Sequence, residues 1–403
     1  MSQTVTVEEI RRAREALGGV LVRTPLLHSR HLSELVGGPV YLKCENVQRT
    51  GSYKIRGAYT RISRLSPQER ARGVVAASAG NHAQGVALAA SLLGCKATIF
   101  MPAGAPLPKV EATRAYGAEI VFPGDSVDVC LPAAQAYAEA HGAVFIHPFD
   151  HPDIVAGQGT LGLEILEERP DVRTVVAAVG GGGLASGLGV ALKGGGFTGS
   201  LLGVQAKRAA AFPPSLAAGH PVGVTPSPTM ADGIAVGRPG ELTFALVSRY
   251  VDSVVTVSEE SISRAMLLSL ERAKQVVEPA GAASIAALLE HTYAMRPPVV
   301  AVLSGGNIDP LLLAKVLRHG LATAGRYMVV RVRLTDRPGA LVRLLSELAD
   351  LGVNVLDVMH QRLAARLHLE DAEVVLHLET RGPEHSEEVV ERLRKQNYAF
   401  KLS

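Results

Sequence analysis

Four short stretches of this 403-residue chain contain groups that could act together on one small molecule. Lys54, within Ser-Tyr-Lys-Ile-Arg-Gly, is an amine that can form a Schiff base with an aldehyde. The run Gly180–Gly183 can turn consecutive N–H groups toward a phosphate, because glycine adopts positive φ and has no Cβ. Polar residues at 78–82 and at 304–307 could contact a ring between these two groups. Together the stretches indicate a phosphorylated aldehyde held by a lysine.

The amine of Lys54 must lose its proton before it can react with an aldehyde. Burial or a nearby cation lowers the pKa of a lysine. Arg56 lies two residues further on, and the helix that follows contributes the positive end of its dipole. We therefore expect a lowered pKa for Lys54, with Arg56 as one cause. The neighbouring Tyr53 is expected to pack in the core, with a hydroxyl that needs a partner.

The other stretches also have simpler structural explanations. Gly180–Gly183 could be a tight turn without a ligand, and Ser304 could cap a turn at the end of a strand. Glu278, in Val-Glu-Pro-Ala-Gly, could be a helix cap at the surface. We expect His82 to pack and bond locally rather than act as a base. Nucleotide-binding explanations of the glycine run fail, because it lacks the Lys-Ser/Thr of a P-loop and a suitably placed acid.

The order and wording of these motifs resemble the fold-type II pyridoxal-phosphate enzymes, and within them the threonine ammonia-lyases (threonine dehydratases). The resemblance covers roughly residues 5–325. It implies that pyridoxal 5'-phosphate is the cofactor and that a small amino acid is the substrate. The roles that it implies are Lys54 as the catalytic, cofactor-binding lysine; Gly180, Gly181, Gly182, Gly183 and Leu184 around the cofactor phosphate; Asn81 and Glu278 at its 3-hydroxyl edge; Ser304 at its pyridine nitrogen; and Ser78, Ala79, Gly80, Asn81 and His82 around the substrate.

Two of these positions favour elimination over racemisation. A hydroxyl such as that of Ser304, unlike a carboxylate, does not hold the pyridine nitrogen protonated, which favours prompt loss of a β-leaving group. Serine racemases that resemble this chain carry a serine at the position of Ala79, and alanine cannot donate a proton to the opposite face of Cα. The resemblance therefore implies deamination of L-threonine to 2-oxobutanoate and ammonium, and of L-serine to pyruvate.

Three alternatives to this lyase remain. A serine racemase and a β-replacement synthase would share the fold, although Ala79 disfavours the first. A non-catalytic amino-acid sensor would use the front half of the chain only as a scaffold. Loss of the β-hydroxyl needs an acid, and the cofactor phosphate is a candidate, because the motifs contain no obvious side-chain donor.

The composition is that of an ordinary globular protein, 47% hydrophobic and 20% charged. A net charge of only +3, with basic and acidic residues interspersed, gives no reason to expect nucleic acid or membrane as a partner. The three cysteines are not spaced as a disulfide framework and indicate a reducing, cytoplasmic location. The charged first 20 residues lack the apolar segment of a signal peptide.

No metal is expected at the place where relatives with a cation site carry acids. The corresponding stretch, Gln205–Ala211, contains no carboxylate, and hard divalent cations need oxygen ligands. The sequence leaves open whether backbone carbonyls bind a potassium or sodium ion.

Short apolar runs alternate with helical segments from residue 39 to 141 and again from 157 to 303. These runs are apolar on both faces, which is typical of parallel sheets covered by helices. The Pro- and Gly-rich stretch Phe212–Gly240 lacks periodicity and is predicted to be an irregular loop. The sequence thus predicts an α/β fold with two doubly wound, largely parallel sheets of the tryptophan synthase β-like kind. The predicted domains are a catalytic domain at 1–325, divided into a large subdomain (about 1–50 and 148–325) and a small one (about 51–147), and a regulatory domain at 326–403.

The regulatory domain is predicted from a change of pattern at Arg326 to the order βαββαβ. Asp-Arg-Pro-Gly-Ala-Leu at 336–341 and Leu-Gly-Val-Asn-Val at 351–355 resemble the loops of ACT domains, whose fold is ferredoxin-like. The resemblance implies an amino-acid effector, isoleucine or valine if the enzyme serves isoleucine biosynthesis, and a homodimer or homotetramer with paired edge strands. A module that serves only dimerisation is the alternative. The residues implied in effector binding are Asp336, Pro338, Gly339, Ala340 and Asn354.

Overall fold

The computed structural model describes residues 5–362 and 370–402. The chain divides into two compact units, one ending at Leu313 and the other beginning at Ala314. This division falls within the helix Pro310–Thr323, ahead of the boundary predicted between residues 325 and 326. The predicted domain and subdomain limits therefore stay predictions.

The first unit contains two sheets. Its strands are β1 Leu26–His28, β2 Val40–Lys43, β3 Val74–Ala77, β4 Ala97–Phe100, β5 Glu119–Val121, β6 Val144–Phe145, β7 Thr174–Ala178, β8 Ser200–Ala206, β9 Ser253–Val257 and β10 Val299–Val302. Its helices are α1 Val7–Ala16, α2 Arg30–Val36, α3 Lys54–Ser63, α4 Pro67–Arg72, α5 Asn81–Leu92, α6 Leu107–Ala115, α7 Val127–His141, α8 Pro152–Glu168, α9 Gly183–Gly194, α10 Phe212–Ala218, α11 Glu241–Tyr250, α12 Glu259–Leu268 and α13 Pro279–Glu290; α14 Pro310–Thr323 spans the division.

The larger sheet has the order β1-β2-β10-β7-β8-β9, in which β1 is antiparallel and the other strands are parallel. The smaller sheet has the order β5-β4-β3-β6 and is parallel throughout. The central strands β3, β7 and β10 are buried along their whole length, because helices cover both faces. The predicted α/β fold with two largely parallel sheets is confirmed.

Two segments differ from the sequence-based expectation. Phe212–Gly240 is not irregular throughout, since it begins with α10 and contains a 3-10 turn at Asp232–Ile234. Prolines in the first turn of α10 are compatible with a helix, because N–H groups there have no intrahelical acceptor. The sequence pattern of residues 258–274 predicts a single helix, but the α-helix α12 ends at Leu268 and the chain continues as a π-helical turn, Ser269–Ala273.

The second unit is an antiparallel sheet with helices. Its elements are β11 Tyr327–Thr335, α15 Ala340–Asp350, β12 Asn354–Gln361, β13 Asp371–Glu379, α16 Pro383–Lys395 and β14 Ala399–Leu402. The strand order β12-β13-β11-β14 is antiparallel throughout. Alternate residues of β11 (Val330, Val332) are buried with Leu344 of α15 and Val389 of α16 in one apolar core. The predicted order βαββαβ is confirmed.

No helix within residues 5–362 and 370–402 combines the length and the hydrophobicity that a bilayer-spanning segment requires.

Candidate active site

The loop after β10 and the start of α3 lie against each other. Ser52 forms a β-bridge with Gly305, and the N–H of Tyr53 donates to the carbonyl of Ser304 at 3.2 Å. Ligand-binding loops collect at the carboxyl ends of parallel strands. The contact therefore brings Lys54, the residue after Tyr53, to the edge where β10 ends.

Lys54 is the first residue of α3, and its side chain is partly buried. The ammonium donates to the carbonyl of Pro148 at 3.0 Å and lies 5.4 Å from the ring centroid of Tyr53. Burial lowers the pKa of Lys54 to about 8, against the opposing effect of the Glu278 carboxylate. An appreciable fraction of the amine is therefore neutral at a pH of about 7.5, as Schiff-base formation requires.

Arg56 does not contribute to this lowered pKa, and the expectation that it would was wrong. Its buried guanidinium donates to both oxygens of Glu45 at 2.7 and 2.8 Å, and to both oxygens of Glu164 at 2.7 and 3.1 Å. Two carboxylates therefore balance its charge, and burial is the cause of the shift at Lys54. The local sequence gives no sign of Glu164, because it is 108 residues away.

Asn81, Glu278 and Asn307 form a hydrogen-bonded group beside this site. Asn81 Nδ2 donates to Glu278 Oε1 at 2.5 Å, and Asn81 Oδ1 accepts from Asn307 Nδ2 at 2.7 Å. Glu278 immediately precedes α13, but its side chain does not cap that helix and is 4% exposed. Burial, and then repulsion from Asp232, raise the pKa of Glu278 to about 7. Glu278 is thus a buried acid on Asn81 and not a surface cap.

The glycine run connects β7 to α9 and is closely packed from behind. Gly182 has φ of +96°, in the left-handed region that favours glycine. A Cβ at Gly181 would lie 2.4 Å from the ring of Phe149, and one at Gly180 would lie 3.1 Å from Cα of Ile234. In the described parts of the chain, no backbone N–H from Gly180 to Leu184 donates to a protein acceptor. The close packing requires glycine at residues 180–183, and the row of free N–H donors suits an anion.

Ser78–His82 leads from β3 into α5. The Ser78 hydroxyl accepts from the N–H of Gly80 at 3.2 Å, which turns the loop. His82 is buried, and its Nε2 donates to the carbonyl of Ile146 at 2.9 Å. Burial lowers the pKa of His82 to about 3, so its ring is neutral. Ala79, between Ser78 and Gly80, has no group that could donate a proton.

Ser304 follows β10 by two residues and is 4% exposed. Within the described chain its hydroxyl makes no hydrogen bond, so it is available to a ring nitrogen. The Tyr53 hydroxyl, for which we expected a partner, has none among the described residues, and burial raises its pKa.

Sequence reasoning missed three parts of this site. The turn Asp232–Ile234 lies against Gly180, Phe149 lies behind Gly181, and Lys109 pairs with Asp232 at 3.1 Å. Their sequence surroundings contain no motif, and only the tertiary contacts reveal them.

A cluster of His, Cys, Asp and Glu that could hold a metal ion does not occur among the residues searched, 5–362 and 370–402. Gln205 instead bonds to the backbone of Val179 and Phe212.

The implied effector residues lie in two places of the second unit. Gly339, with φ of +82°, precedes α15, and the N–H of Asp336 donates to the carbonyl of Glu370 at 2.7 Å. Asn354 donates to Glu379 at 2.9 Å at the other end of the sheet. The register sets Asn354 level with the start of β11 and Asp336 beyond its end, roughly 30 Å apart at about 3.3 Å per residue. One chain therefore does not bring these loops together.

Comparison with known proteins agrees with this geometry. Residues 19–305 match the family model described as "Pyridoxal-phosphate dependent enzyme", and residues 328–397 match the ACT domain. This chain belongs to the pyridoxal-phosphate dependent enzyme family. It is 48% identical to the L-threonine ammonia-lyase of Thermotoga maritima over 99% of each chain. Its fold resembles a crystal structure of a T.th. threonine deaminase, with TM-score 0.72, 42% identity and coverage of 75% of this chain and 99% of that one. It also resembles maize serine racemase, with TM-score 0.74, 34% identity and coverage of 79% and 98%.

The residues present fit the family's cofactor. Lys54 offers an amine with a lowered pKa, and Gly180–Leu184 offer free N–H donors in a turn that Phe149 packs against so closely that Gly181 has no room for a Cβ. At Gly305 a Cβ would lie 2.3 Å from Glu278 Oε1 and 3.0 Å from Asn81 Nδ2, so glycine is needed beside these two groups. The site thus has a place for each end of pyridoxal phosphate.

Proposed function

We propose that this pyridoxal-phosphate dependent enzyme deaminates L-threonine to 2-oxobutanoate and ammonium, and L-serine to pyruvate and ammonium. The observation that supports the proposal is that Lys54, whose pKa is lowered to about 8, donates to the carbonyl of Pro148, next to the Phe149 that packs against the glycine run, and that no acid stands at Ala79. The similar L-threonine ammonia-lyase and threonine deaminase support the choice of substrate.

The chain's own groups have distinct tasks in this reaction. The N–H groups of Gly180–Leu184 bind the cofactor phosphate, and the Ser304 hydroxyl accepts or donates at the ring nitrogen without a fixed charge. Asn81, held by Glu278 and Asn307, orients the ring's hydroxyl edge. When bound, the cofactor supplies an electron sink for the pair left on Cα.

Lys54 is the base in this account. Its amine, released when the substrate amine takes its place, removes the proton from Cα and holds it at Nζ. Its lowered pKa keeps it able to accept that proton near neutral pH. The free N–H groups of Ala79 and Asn81, with the Ser78 hydroxyl, bind the substrate carboxylate and fix Cα in front of Lys54. The β-hydroxyl needs one proton to leave as water, which the cofactor phosphate would supply when bound, and the released enamine then takes up water to give the 2-oxo acid and ammonium.

The decisive experiment is a product analysis of the purified holoenzyme. L-Threonine should give 2-oxobutanoate with an equal amount of ammonium, and L-serine should give pyruvate with little D-serine. Chiral chromatography after partial conversion separates the lyase from a racemase, and added sulfide separates it from a β-replacement synthase. D-Serine accumulating faster than pyruvate, or no turnover of either substrate, would contradict the proposal.

The face opposite Lys54 can be tested with one substitution. Ala79→Ser introduces a hydroxyl that can donate a proton there, so the ratio of D-serine to pyruvate should rise at least severalfold. Ala103→Ser, on an exposed loop, should leave the ratio unchanged. An unchanged ratio in Ala79→Ser would remove the argument from this face.

Three finer assignments belong to this proposal. We propose a homodimer or homotetramer, because the edge strand β12 exposes Leu356, Val358 and Met359. We propose an amino-acid effector between Gly339 of one chain and Asn354 of a second copy, since one chain holds them apart. The buried, free thiols of Cys44, Cys95 and Cys130 support a cytoplasmic location.

A further inference from the structure

An ion pair connects elements on the two sheets of the first unit. Lys109 belongs to α6, which follows β4 of the smaller sheet, and Asp232 begins the 3-10 turn that follows β8 of the larger sheet. Lys109 Nζ lies 3.1 Å from Asp232 Oδ2. The two partners differ in exposure, since the Lys109 side chain is 13% exposed and that of Asp232 is 62% exposed.

The pair lies among the groups of the candidate active site. A Cβ at Gly80, in the loop that we assign to the substrate carboxylate, would be 3.9 Å from Lys109 Nζ. On the other side, a Cβ at Gly233 would be 3.9 Å from Glu278 Oε1. Lys109 and Asp232 also act electrostatically on Glu278, the first lowering and the second raising its pKa. The ammonium of Lys109 is therefore beside the carboxylate loop and not on a remote surface.

The carboxylate loop has donors to spare. In the described parts of the chain, the backbone N–H groups of Ala79, Asn81 and His82 donate to no protein acceptor. A carboxylate bound to these groups would come close to Lys109 Nζ. It would offer Lys109 the same chemical group that Asp232 offers now.

Because the two partners differ in exposure, replacing Asp232 by another carboxylate costs little free energy. Asp232 can return to water when it is released, and ion pairs with an exposed partner contribute only about 0–1 kcal/mol. Lys109 is mostly buried, so its charge requires a partner in either state. An incoming carboxylate that replaces Asp232 keeps Lys109 paired.

We propose that Lys109 is a substrate-binding residue. Its ammonium pairs with Asp232 in the absence of substrate and with the substrate's α-carboxylate when substrate binds. The proposal rests on the function proposed above, because it assigns the carboxylate to the loop at Gly80. It makes Lys109 the group that selects amino acids with a free α-carboxylate over their amides. Asp232 competes with the substrate and lowers its affinity.

The test measures binding to the holoenzyme without turnover. L-Alanine and L-alaninamide have no β-leaving group, so their dissociation constants follow from the change in cofactor absorbance on titration. Lys109→Met should weaken L-alanine at least about tenfold, as expected for loss of a charge-assisted hydrogen bond, and leave L-alaninamide within about twofold. Asp232→Asn should lower the dissociation constant of L-alanine severalfold and leave that of L-alaninamide unchanged.

Lys193 and Asp252 provide the matched control, since they form a comparable ion pair outside the site, with Nζ 3.2 Å from Oδ2. Lys193→Met and Asp252→Asn should change the dissociation constant of neither ligand. The unfolding temperature of every variant shows whether it folds. If Lys109→Met binds L-alanine as tightly as the parent does, or if it weakens the binding of both ligands equally, the ion pair has only a structural role and the proposal fails. Because no step of this test needs elimination, inactivity toward L-threonine would reject the proposed function alone.

Discussion

At the residue scale, the least predictable feature is the chemical state of Glu278. The motif Val-Glu-Pro-Ala-Gly indicated either a ring-edge residue or a surface cap. Only the fold shows that the carboxyl is buried, bonded to Asn81 and close to Asp232. Lys54 is the opposite case, because its motif predicted a lowered pKa correctly while the cause, burial and not Arg56, lay in the tertiary structure.

Glu278→Gln should change the pH dependence of stability in the cofactor-free protein. The pKa of Glu278 is about 7 in the folded chain, above its usual value of about 4.3, so the folded chain binds a proton more tightly. Stability from this proton is present below about pH 4 and is lost as the pH rises to about 7. The glutamine variant has no such loss, and its stability relative to the parent should grow over that window by at most about 4 kcal/mol.

Urea unfolding at a series of pH values measures this difference. Glu15→Gln, at an exposed position, is the control and should follow the parent throughout. A difference between Glu278→Gln and the parent that is constant from about pH 4 to about pH 8 would show that the carboxyl does not titrate there.

At the element scale, the sequence predicted which segments form helices and strands but not the contacts that hold them against one another. The start of α3 is fixed by Arg56, which bonds to Glu45 before it and to Glu164 on α8. At the same crossing a Cβ on Gly157 would lie 2.4 Å from the carbonyl oxygen of Arg56. The contacts with α8 join residues about a hundred positions apart, and local periodicity contains no information about them. They set the position of Lys54, two residues before Arg56.

Arg56→Met should destabilise the protein strongly. It leaves the buried carboxylate of Glu45 without its cation, whereas Glu164 keeps Lys43 at 3.0 Å, and removing one partner of a buried ion pair costs about 3–5 kcal/mol. Arg12→Met, which removes an exposed guanidinium 2.9 Å from Glu9, is the matched control and should cost less than about 1 kcal/mol. Chemical denaturation compares the two. Equal losses would mean that the buried group does not fasten α3.

At the scale of the whole molecule, the alternation of apolar runs and helices was sufficient to predict both sheets, and two loop motifs were sufficient to predict the ACT domain. The relation between those loops was not predictable from motifs. The register of β11, β13 and β12 sets Asp336 and Asn354 at opposite ends of one sheet. An effector that touches both requires two copies of the chain, which links regulation to assembly.

Calorimetry on the full-length protein tests this link. Isoleucine or valine should bind, and Asn354→Ala should weaken binding about tenfold, because the amide side chain can bond to an amino acid. Effector binding should change the affinity for substrate by a coupling of about 1–3 kcal/mol. Glu384→Ala, at an exposed position on α16, is the control. No heat from isoleucine or valine would leave dimerisation as the role of this domain.

The central claim is that Lys54 binds the cofactor and serves as the base, and Lys54→Ala tests it most directly. The variant and a Lys193→Ala control are purified with pyridoxal phosphate, and visible absorbance and 2-oxobutanoate formation from L-threonine are measured on both. The account predicts that Lys54→Ala folds, loses the visible band of lysine-bound cofactor and loses about 10³-fold or more of its turnover, while the control keeps both. Turnover of Lys54→Ala close to that of the parent would contradict it.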